Sequence, residues 1–219
     1  MSERLLLVLD EGTTSTRAML YAPDGRRVGM VQRELTQYYP RPGWVEHDAA
    51  EIWDRTLACA REMVDQAGGA DRIVAIGITN QRETVVAWDR HSGASLARAI
   101  VWQDRRTADA CAALREGGHE RLVQERTGLV IDPYFSATKM RWMLDNVPEV
   151  AGAGDALAFG TVESWLVWKL TGGLHVSDAS NASRTQLMAL DGAGWDAELC
   201  ALFGVPMGAL PQIVDNAGM

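Results

Sequence analysis

Hydrophobic residues in the first part of the chain follow the short period of β-strands. The stretches 5–9, 17–22 and 27–36 each combine apolar and β-branched residues over strand length. Between the second and third stretch stands Pro23-Asp24-Gly25, which is a typical tight-turn sequence. The pattern therefore predicts three consecutive antiparallel strands at the start of the chain.

The pattern changes to a helical period after residue 48. Asp48 is suited to cap the helix amino terminus, Glu51 gives the start a resemblance to a capping box, and Gly68-Gly69 ends the periodic segment. The apolar run 73–78 follows. A continuous β-branched run is typical of a strand buried on both faces, so we expect that environment for it.

Strand and helix patterns alternate through the rest of the chain, which predicts a mixed α/β fold class. Segment 150–154 is rich in glycine and alanine and predicts a surface loop. The predicted strands are 85–88 and 96–102, which flank the turn 91–93, followed by 156–159 and 186–189. The predicted helices are 107–114, 120–127, 136–146 and 161–170.

The first candidate for chemistry is the polar turn 10–17 between the first two predicted strands. Gly12 would let the backbone approach an anion, and the hydroxyls of Thr13, Thr14 and Ser15 could donate to phosphate oxygens. Asp10 could hold Mg²⁺ through its water shell. The alternative is a plain β-turn, because glycine and threonine are common in turns.

A second candidate is the pair Arg82-Glu83, which follows the predicted strand 73–78. A carboxylate can accept from two vicinal hydroxyls and a guanidinium can donate to one, while each charge lowers the desolvation cost of the other. Tyr134 could add a phenolic donor and Trp102 an apolar surface for carbon. The alternatives are a surface ion pair and two aromatic residues at the edge of the core.

The composition of the chain excludes several classes of function and location. The chain has 219 residues, of which 47% are hydrophobic, enough for one large domain or one domain plus an insertion. Its net charge is −8 with positive residues dispersed, which argues against nucleic-acid and anionic-membrane partners. The three cysteines and four histidines lack metal-ligand spacing. No apolar stretch is long enough to span a bilayer, so a cytoplasmic location is expected.

Six segments taken together in this order closely resemble the amino-terminal half of the glycerol kinases, from about residue 5 to about residue 214. These kinases belong to the larger carbohydrate kinase family, whose ATPase fold is shared with actin. The resemblance implies a ribonuclease H-like (actin-like ATPase) mixed β-sheet flanked by helices. The segments are the turn 10–17, 39–48 (YPRPGWVEHD), 77–84 (GITNQRET), 102–107 (WQDRRT), 127–136 (TGLVIDPYFS) and 181–185 (NASRT).

The resemblance implies ATP-dependent phosphorylation of glycerol, with ATP and Mg²⁺ as cofactors and a homo-oligomer for the full-length protein. It implies that Arg82, Glu83 and Tyr134 bind glycerol and that Trp102 packs against it. The residues expected to contact the nucleotide phosphates are Gly12, Thr13, Thr14, Ser15 and Arg17, with Asp10 supporting the metal. His47, in segment 39–48, is expected to shape the floor of the cleft.

Two departures from the family pattern stand out. Glu11 replaces the usual Gln and adds negative charge beside the phosphate turn, and Glu163 replaces the usual Asp. The resemblance also places the general base, the adenine pocket and the regulatory sites beyond Met219. Residues 1–219 are therefore expected to form an amino-terminal substrate- and phosphate-binding domain that is incomplete at its carboxy end and inactive alone. A kinase of another polyol or sugar, and a non-catalytic substrate-binding domain, remain alternatives.

Overall fold

The computed structural model describes residues 4–192 and 194–217. In chain order the strands are β1 (Leu5–Glu11), β2 (Ser15–Tyr21), β3 (Arg27–Glu34), β4 (Glu46–His47), β5 (Ile73–Asn80), β6 (Val85–Asp89), β7 (Ala99–Ile100), β8 (Leu157–Thr161), β9 (Val176–Asp178) and β10 (Gln212–Val214). The α-helices are α1 (Ala49–Ala67), α2 (Ala108–Glu116), α3 (Glu120–Thr127), α4 (Ser136–Asn146), α5 (Pro148–Ala151), α6 (Val162–Thr171), α7 (Ala179–Ala182) and α8 (Ala197–Phe203).

These elements divide into two compact units. The first unit comprises the chain up to residue 37 and residues 47–81, and the second comprises residues 38–46 and the chain from residue 82 onward. No helix within 4–192 and 194–217 combines the length and the apolar character that crossing a membrane requires.

The first unit is a four-stranded sheet with α1 packed on one face. Strand order is β3-β2-β1-β5, with β1 antiparallel to β2 and parallel to β5. The Asp48 carboxylate caps α1 by accepting from the backbone N–H groups of residues 50 and 51, and Gly68 ends the helix at φ 88°. The predicted helix limits are confirmed, although the Glu51 carboxylate accepts from the Thr36 hydroxyl at 3.1 Å instead of closing a capping box.

The environment expected for β5 is wrong for the described residues. Val74 and Ile76 are 47% and 50% exposed, and the neighbouring Leu6 on β1 is 40% exposed. Among those residues β5 pairs with β1 alone, so it forms an edge of the sheet. The apolar run is strand-forming as predicted, but its burial depends on coverage that no described residue provides.

The second unit contains strands β7, β6 and β8 of a sheet ordered β4-β7-β6-β8, together with Glu46 of β4, a parallel pair β9–β10 and the helices α2 to α8. Strands β6 and β8 pair antiparallel over five residues. Apolar side chains from both strands and from five of the helices form one buried cluster. Its members include Val85, Ala87, Phe159, Cys111, Val123, Met140, Met143, Leu199 and Phe203.

Three predicted elements of the second unit are wrong. Strand 96–102 is reduced to β7, because only Ile100 is in register with β6. Segment 186–189 forms a single bridge between Met188 and Trp195, since Gln186 adopts the left-handed φ of 67° that breaks an extended strand. The predicted loop 150–154 overlaps the end of α5, which begins at Pro148 and buries Val150.

Arg106 fixes the segment 38–46 within the second unit. Its guanidinium lies 3.8 Å from the ring centroid of Trp44 and 4.6 Å from that of Trp142. It also makes 2.8 Å ion pairs with Glu46 and Asp104. Arg106 is thus a buried structural cation bound to nearby carboxylates.

Candidate functional site

The turn between β1 and β2 is closed by a short backbone contact. The Gly12 N–H donates to the Ser15 carbonyl at 3.0 Å, and a Cβ atom on Gly12 would lie only 3.1 Å from that oxygen. Thr14 is exposed and Thr13 half-buried, whereas Ser15 is buried and its hydroxyl accepts from Gln32 at 3.0 Å. Close approach therefore explains the glycine, and the two threonine hydroxyls are the more accessible donors of the turn.

Asp10 and Arg17 carry the charges beside this turn. Asp10 Oδ2 and Arg17 Nη1 are 3.2 Å apart, and both side chains are partly exposed. This arrangement fits a nucleotide phosphate with Mg²⁺. Gly12 lets the backbone approach the anion, the hydroxyls and the guanidinium can donate to phosphate oxygens, and the accessible carboxylate can hold the metal. Binding of either group here remains a prediction.

Glu11 points away from the turn and into the core of the first unit. Its Oε2 accepts from the Thr56 hydroxyl at 2.7 Å, and its Oε1 has no hydrogen-bond partner among the described residues. Burial raises the pKa of this carboxyl from 4.5 to about 7, although hydrogen bonds from the Thr16 and Thr56 hydroxyls lower it. The Glu11 side chain is therefore buried in the core and not in the phosphate turn, and its carboxyl is largely protonated and uncharged below pH 7.

Replacing Glu11 with Gln should stabilise the protein in a pH-dependent manner. The stabilisation by protonated Glu11 is fully present below pH 4.5 and is lost as the pH rises through about 7, because the folded-state pKa is raised. The variant should match the parent near pH 4.5 and exceed it at pH 8 by at most about 3 kcal/mol. Thermal unfolding at both pH values measures this, with Glu34→Gln at an exposed position as control. An equal gain at both pH values would contradict it.

Glu83 is the centre of a second cluster, in the second unit. Its side chain is only 2% exposed, and its backbone adopts a left-handed φ of 64°, which non-glycine residues rarely do. Its Oε1 accepts from Arg184 Nε at 2.6 Å. The Glu83 carboxylate is thus paired with Arg184 and not, as predicted, with the neighbouring Arg82, whose side chain is exposed.

Lys139 holds the backbone around this cluster. The side chain is fully buried on α4, and its ammonium donates to the carbonyls of Tyr134 at 2.6 Å, Phe135 at 3.0 Å and Glu83 at 3.4 Å. Burial lowers its pKa to about 7. The Ser136 hydroxyl donates to the same Glu83 carbonyl at 3.1 Å. Backbone contacts from Lys139 thus connect two residues that the sequence predicted to bind substrate.

Aromatic side chains complete the cluster. The rings of Tyr134 and Trp102 meet edge to face with centroids 5.5 Å apart, and both are half-buried. The Arg184 guanidinium lies 5.6 Å from the Tyr134 ring centroid and 4.9 Å from that of Phe135. The structure therefore brings Glu83, Tyr134 and Trp102 together, which combines a carboxylate acceptor, polar donors and an apolar surface in the manner suited to a polyol.

Two residues of this cluster have no predicted role in the sequence interpretation. Arg184 belongs to segment 181–185, which carries part of the family resemblance, so the sequence contained a signal from which its role could have been predicted. Lys139 gave no signal, because a lysine within a predicted helix is ordinarily solvent-exposed.

Comparison with known proteins gives concordant matches. The sequence matches the amino-terminal domain of the FGGY family of carbohydrate kinases over residues 5–218. It is 56% identical to a glycerol kinase of Dechloromonas aromatica over 99% of this chain and 44% of that protein. The chain thus spans less than half the length of such relatives.

Solved structures agree with the fold. A Plasmodium falciparum glycerol kinase with ADP superposes with a TM-score of 0.90 at 34% identity, covering 96% of this chain and 43% of that one. A xylulose kinase from Rhodospirillum rubrum gives 0.87 at 30% identity, with coverages of 96% and 43%. The predicted actin-like ATPase fold class is confirmed. The chain belongs to the FGGY family of carbohydrate kinases.

Proposed function

We propose that the full-length protein is an ATP-dependent glycerol kinase that forms sn-glycerol 3-phosphate. The observation that carries this proposal is the buried Glu83 carboxylate, fixed by Arg184 beside Tyr134 and Trp102. The 56% identity to a protein named glycerol kinase supports glycerol over other polyols.

In this proposal the second unit binds glycerol. Because Arg184 engages Oε1 of Glu83, we assign the other carboxylate oxygen, Oε2, to the substrate hydroxyls. The Tyr134 phenol and the exposed Arg82 supply donors, and the Trp102 ring covers the carbon chain. A deoxy analogue lacks a hydroxyl that would donate to this buried carboxylate and would leave the acceptor unsatisfied. The site therefore favours a polyol over such an analogue.

The first unit holds the nucleotide phosphates in the same proposal. The Thr13 and Thr14 hydroxyls and Arg17 donate to phosphate oxygens, and Asp10 holds Mg²⁺, which supplies charge neutralisation when bound. A terminal glycerol oxygen forms a bond to the γ-phosphorus while the bond from that phosphorus to the β–γ bridging oxygen breaks, releasing ADP. The hydroxyl proton passes to a general base of the full-length protein. Cytoplasmic location and homo-oligomeric state stay predictions.

A ligand panel tests the substrate. Full-length protein should show a thermal shift with glycerol, and a smaller one or none with erythritol, xylulose and gluconate, and should release ADP from ATP and Mg²⁺ only when glycerol is present. A Glu83→Gln variant excludes a contaminating kinase, because its glycerol-dependent turnover should fall. Preferential stabilisation and turnover with xylulose or gluconate would establish the alternative, a kinase of another sugar or sugar acid.

A further inference from the structure

A hydrogen-bonded chain of three side chains lies against the turn between β1 and β2. His47 is 1% exposed, and its Nε2 lies 2.9 Å from Gln37 Oε1 while its Nδ1 lies 3.2 Å from Gln81 Nε2. Since an amide oxygen can only accept and an amide nitrogen can only donate, the imidazole must carry its proton on Nε2 and accept at Nδ1. Both ring nitrogens are therefore used within the first unit.

The two glutamines extend this chain to the turn. Gln37 Nε2 donates to the Thr13 carbonyl at 2.8 Å, and Gln81 Nε2 donates to the Gly12 carbonyl at 3.2 Å. The Gln81 backbone N–H also donates to the Glu11 carbonyl at 2.6 Å. Three successive carbonyls of the turn are thus bound by two residues, and one imidazole fixes the side chains of both.

Burial supports the same assignment of the proton. It lowers the pKa of His47 to about 4, so the ring is neutral throughout the physiological range. A protonated ring would have no acceptor for the Gln81 amide and would break the chain of hydrogen bonds. The residue is consequently suited to a fixed structural connection and unsuited to proton transfer near pH 7.

We propose that His47 is a positioning residue for nucleotide phosphate: through Gln37 and Gln81 it clamps the carbonyls of Gly12 and Thr13, so that the N–H and hydroxyl groups of the turn face the phosphate in one arrangement. This inference rests on the proposed function, because it takes the turn to be the nucleotide site. It gives a role to segment 39–48, which the proposed chemistry otherwise leaves unused.

A His47→Phe variant of the full-length enzyme removes both hydrogen bonds while filling similar volume. The KM for ATP should rise by about 10- to 100-fold, as expected for a misplaced binding group, while the KM for glycerol changes by less than about 3-fold. His175 provides a matched control, since its pKa is also lowered to about 4 but its Nε2 lies 2.9 Å from the Phe159 carbonyl in the second unit. An unchanged KM for ATP, or parallel changes in both KM values, would overturn the inference.

A mutant cycle tests whether His47 acts through the glutamines. Adding His47→Phe to a Gln37→Leu/Gln81→Leu background should raise the KM for ATP little further, whereas independent effects would add. Additivity would refute the clamp. If His47→Phe does not fold, His47→Asn keeps the acceptor for Gln81 and His47→Gln keeps the donor for Gln37. Each of these two variants should give a KM for ATP between those of the parent and His47→Phe. A KM equal to that of the parent in both variants would also refute the clamp.

Hydrogen exchange without nucleotide separates this inference from the proposed function. Amide exchange in residues 11–17 should accelerate in His47→Phe and stay unchanged in His175→Phe, because only His47 is connected to the turn. If the wild-type enzyme phosphorylates no polyol, the proposed function fails, yet the exchange rates still decide whether the clamp exists. Equal exchange in wild type and His47→Phe would show that it does not.

Discussion

Turnover of the full-length enzyme should fall by about 100- to 1,000-fold when Asp10 is replaced by Asn. The amide keeps the shape of the carboxylate and can still accept from Arg17, which lies 3.2 Å away, but it removes one negative charge from the expected metal position. The KM for glycerol should change little, because the glycerol cluster lies on other residues. Steady-state kinetics at saturating Mg²⁺ measure both parameters.

The control for this variant is Asp24→Asn. Asp24 is an exposed carboxylate of the same unit, in the turn between β2 and β3, where it pairs loosely with Arg26 at 3.8 Å. Its replacement should leave turnover unchanged. Near-normal turnover in Asp10→Asn would mean that segment 10–17 is a plain β-turn and that Asp10 does not support the metal.

Glycerol binding should be the main loss in Glu83→Ala. Truncation removes the acceptor for substrate hydroxyls and leaves the Arg184 guanidinium without the carboxylate that it meets at 2.6 Å. Losing one partner of a buried hydrogen-bonded charge pair costs about 2–5 kcal/mol, so the KM for glycerol should rise by about 30- to 5,000-fold. The KM for ATP should stay within about 3-fold of the parent value.

Two further variants make that result interpretable. Glu83→Gln keeps the side-chain volume and one acceptor, so its KM should lie between those of the parent and Glu83→Ala. Glu149→Ala changes an exposed carboxylate on α5 and should have no effect. Circular dichroism and the unfolding midpoint establish that each variant folds. A folded Glu83→Ala enzyme with an unchanged KM for glycerol would remove Glu83 from the substrate site.

Elements defined by local signals were predicted well from the sequence. Helix α1 lies between a capping Asp48 and a left-handed Gly68, and α3, which ends at a left-handed Gly128, and α4 also have the predicted limits. Burial of β5 was predicted wrongly because it depends on which parts of the chain cover the strand. A β-branched sequence is equally compatible with a central strand and with an edge strand.

The candidate site shows the same division. Glu83 and Tyr134 stand in segments that resemble a known family, so both were identified from the sequence. The Glu83–Arg184 ion pair joins residues 101 positions apart, and adjacency suggested Arg82 instead. Lys139 binds backbone carbonyls rather than substrate-binding side chains, and such contacts leave no residue pattern to read.

The strained backbone at Glu83 is retained together with the ion pair that its side chain makes with Arg184. Holding a non-glycine residue at a φ of 64° costs about 1–3 kcal/mol, and glycine at that position would avoid the cost. Glycine would also remove the carboxylate and leave Arg184 without its partner, which costs about 2–5 kcal/mol. Relief of the strain does not compensate for the lost ion pair, so a directed-evolution screen that rewards heat resistance alone should retain Glu83 together with its strained backbone.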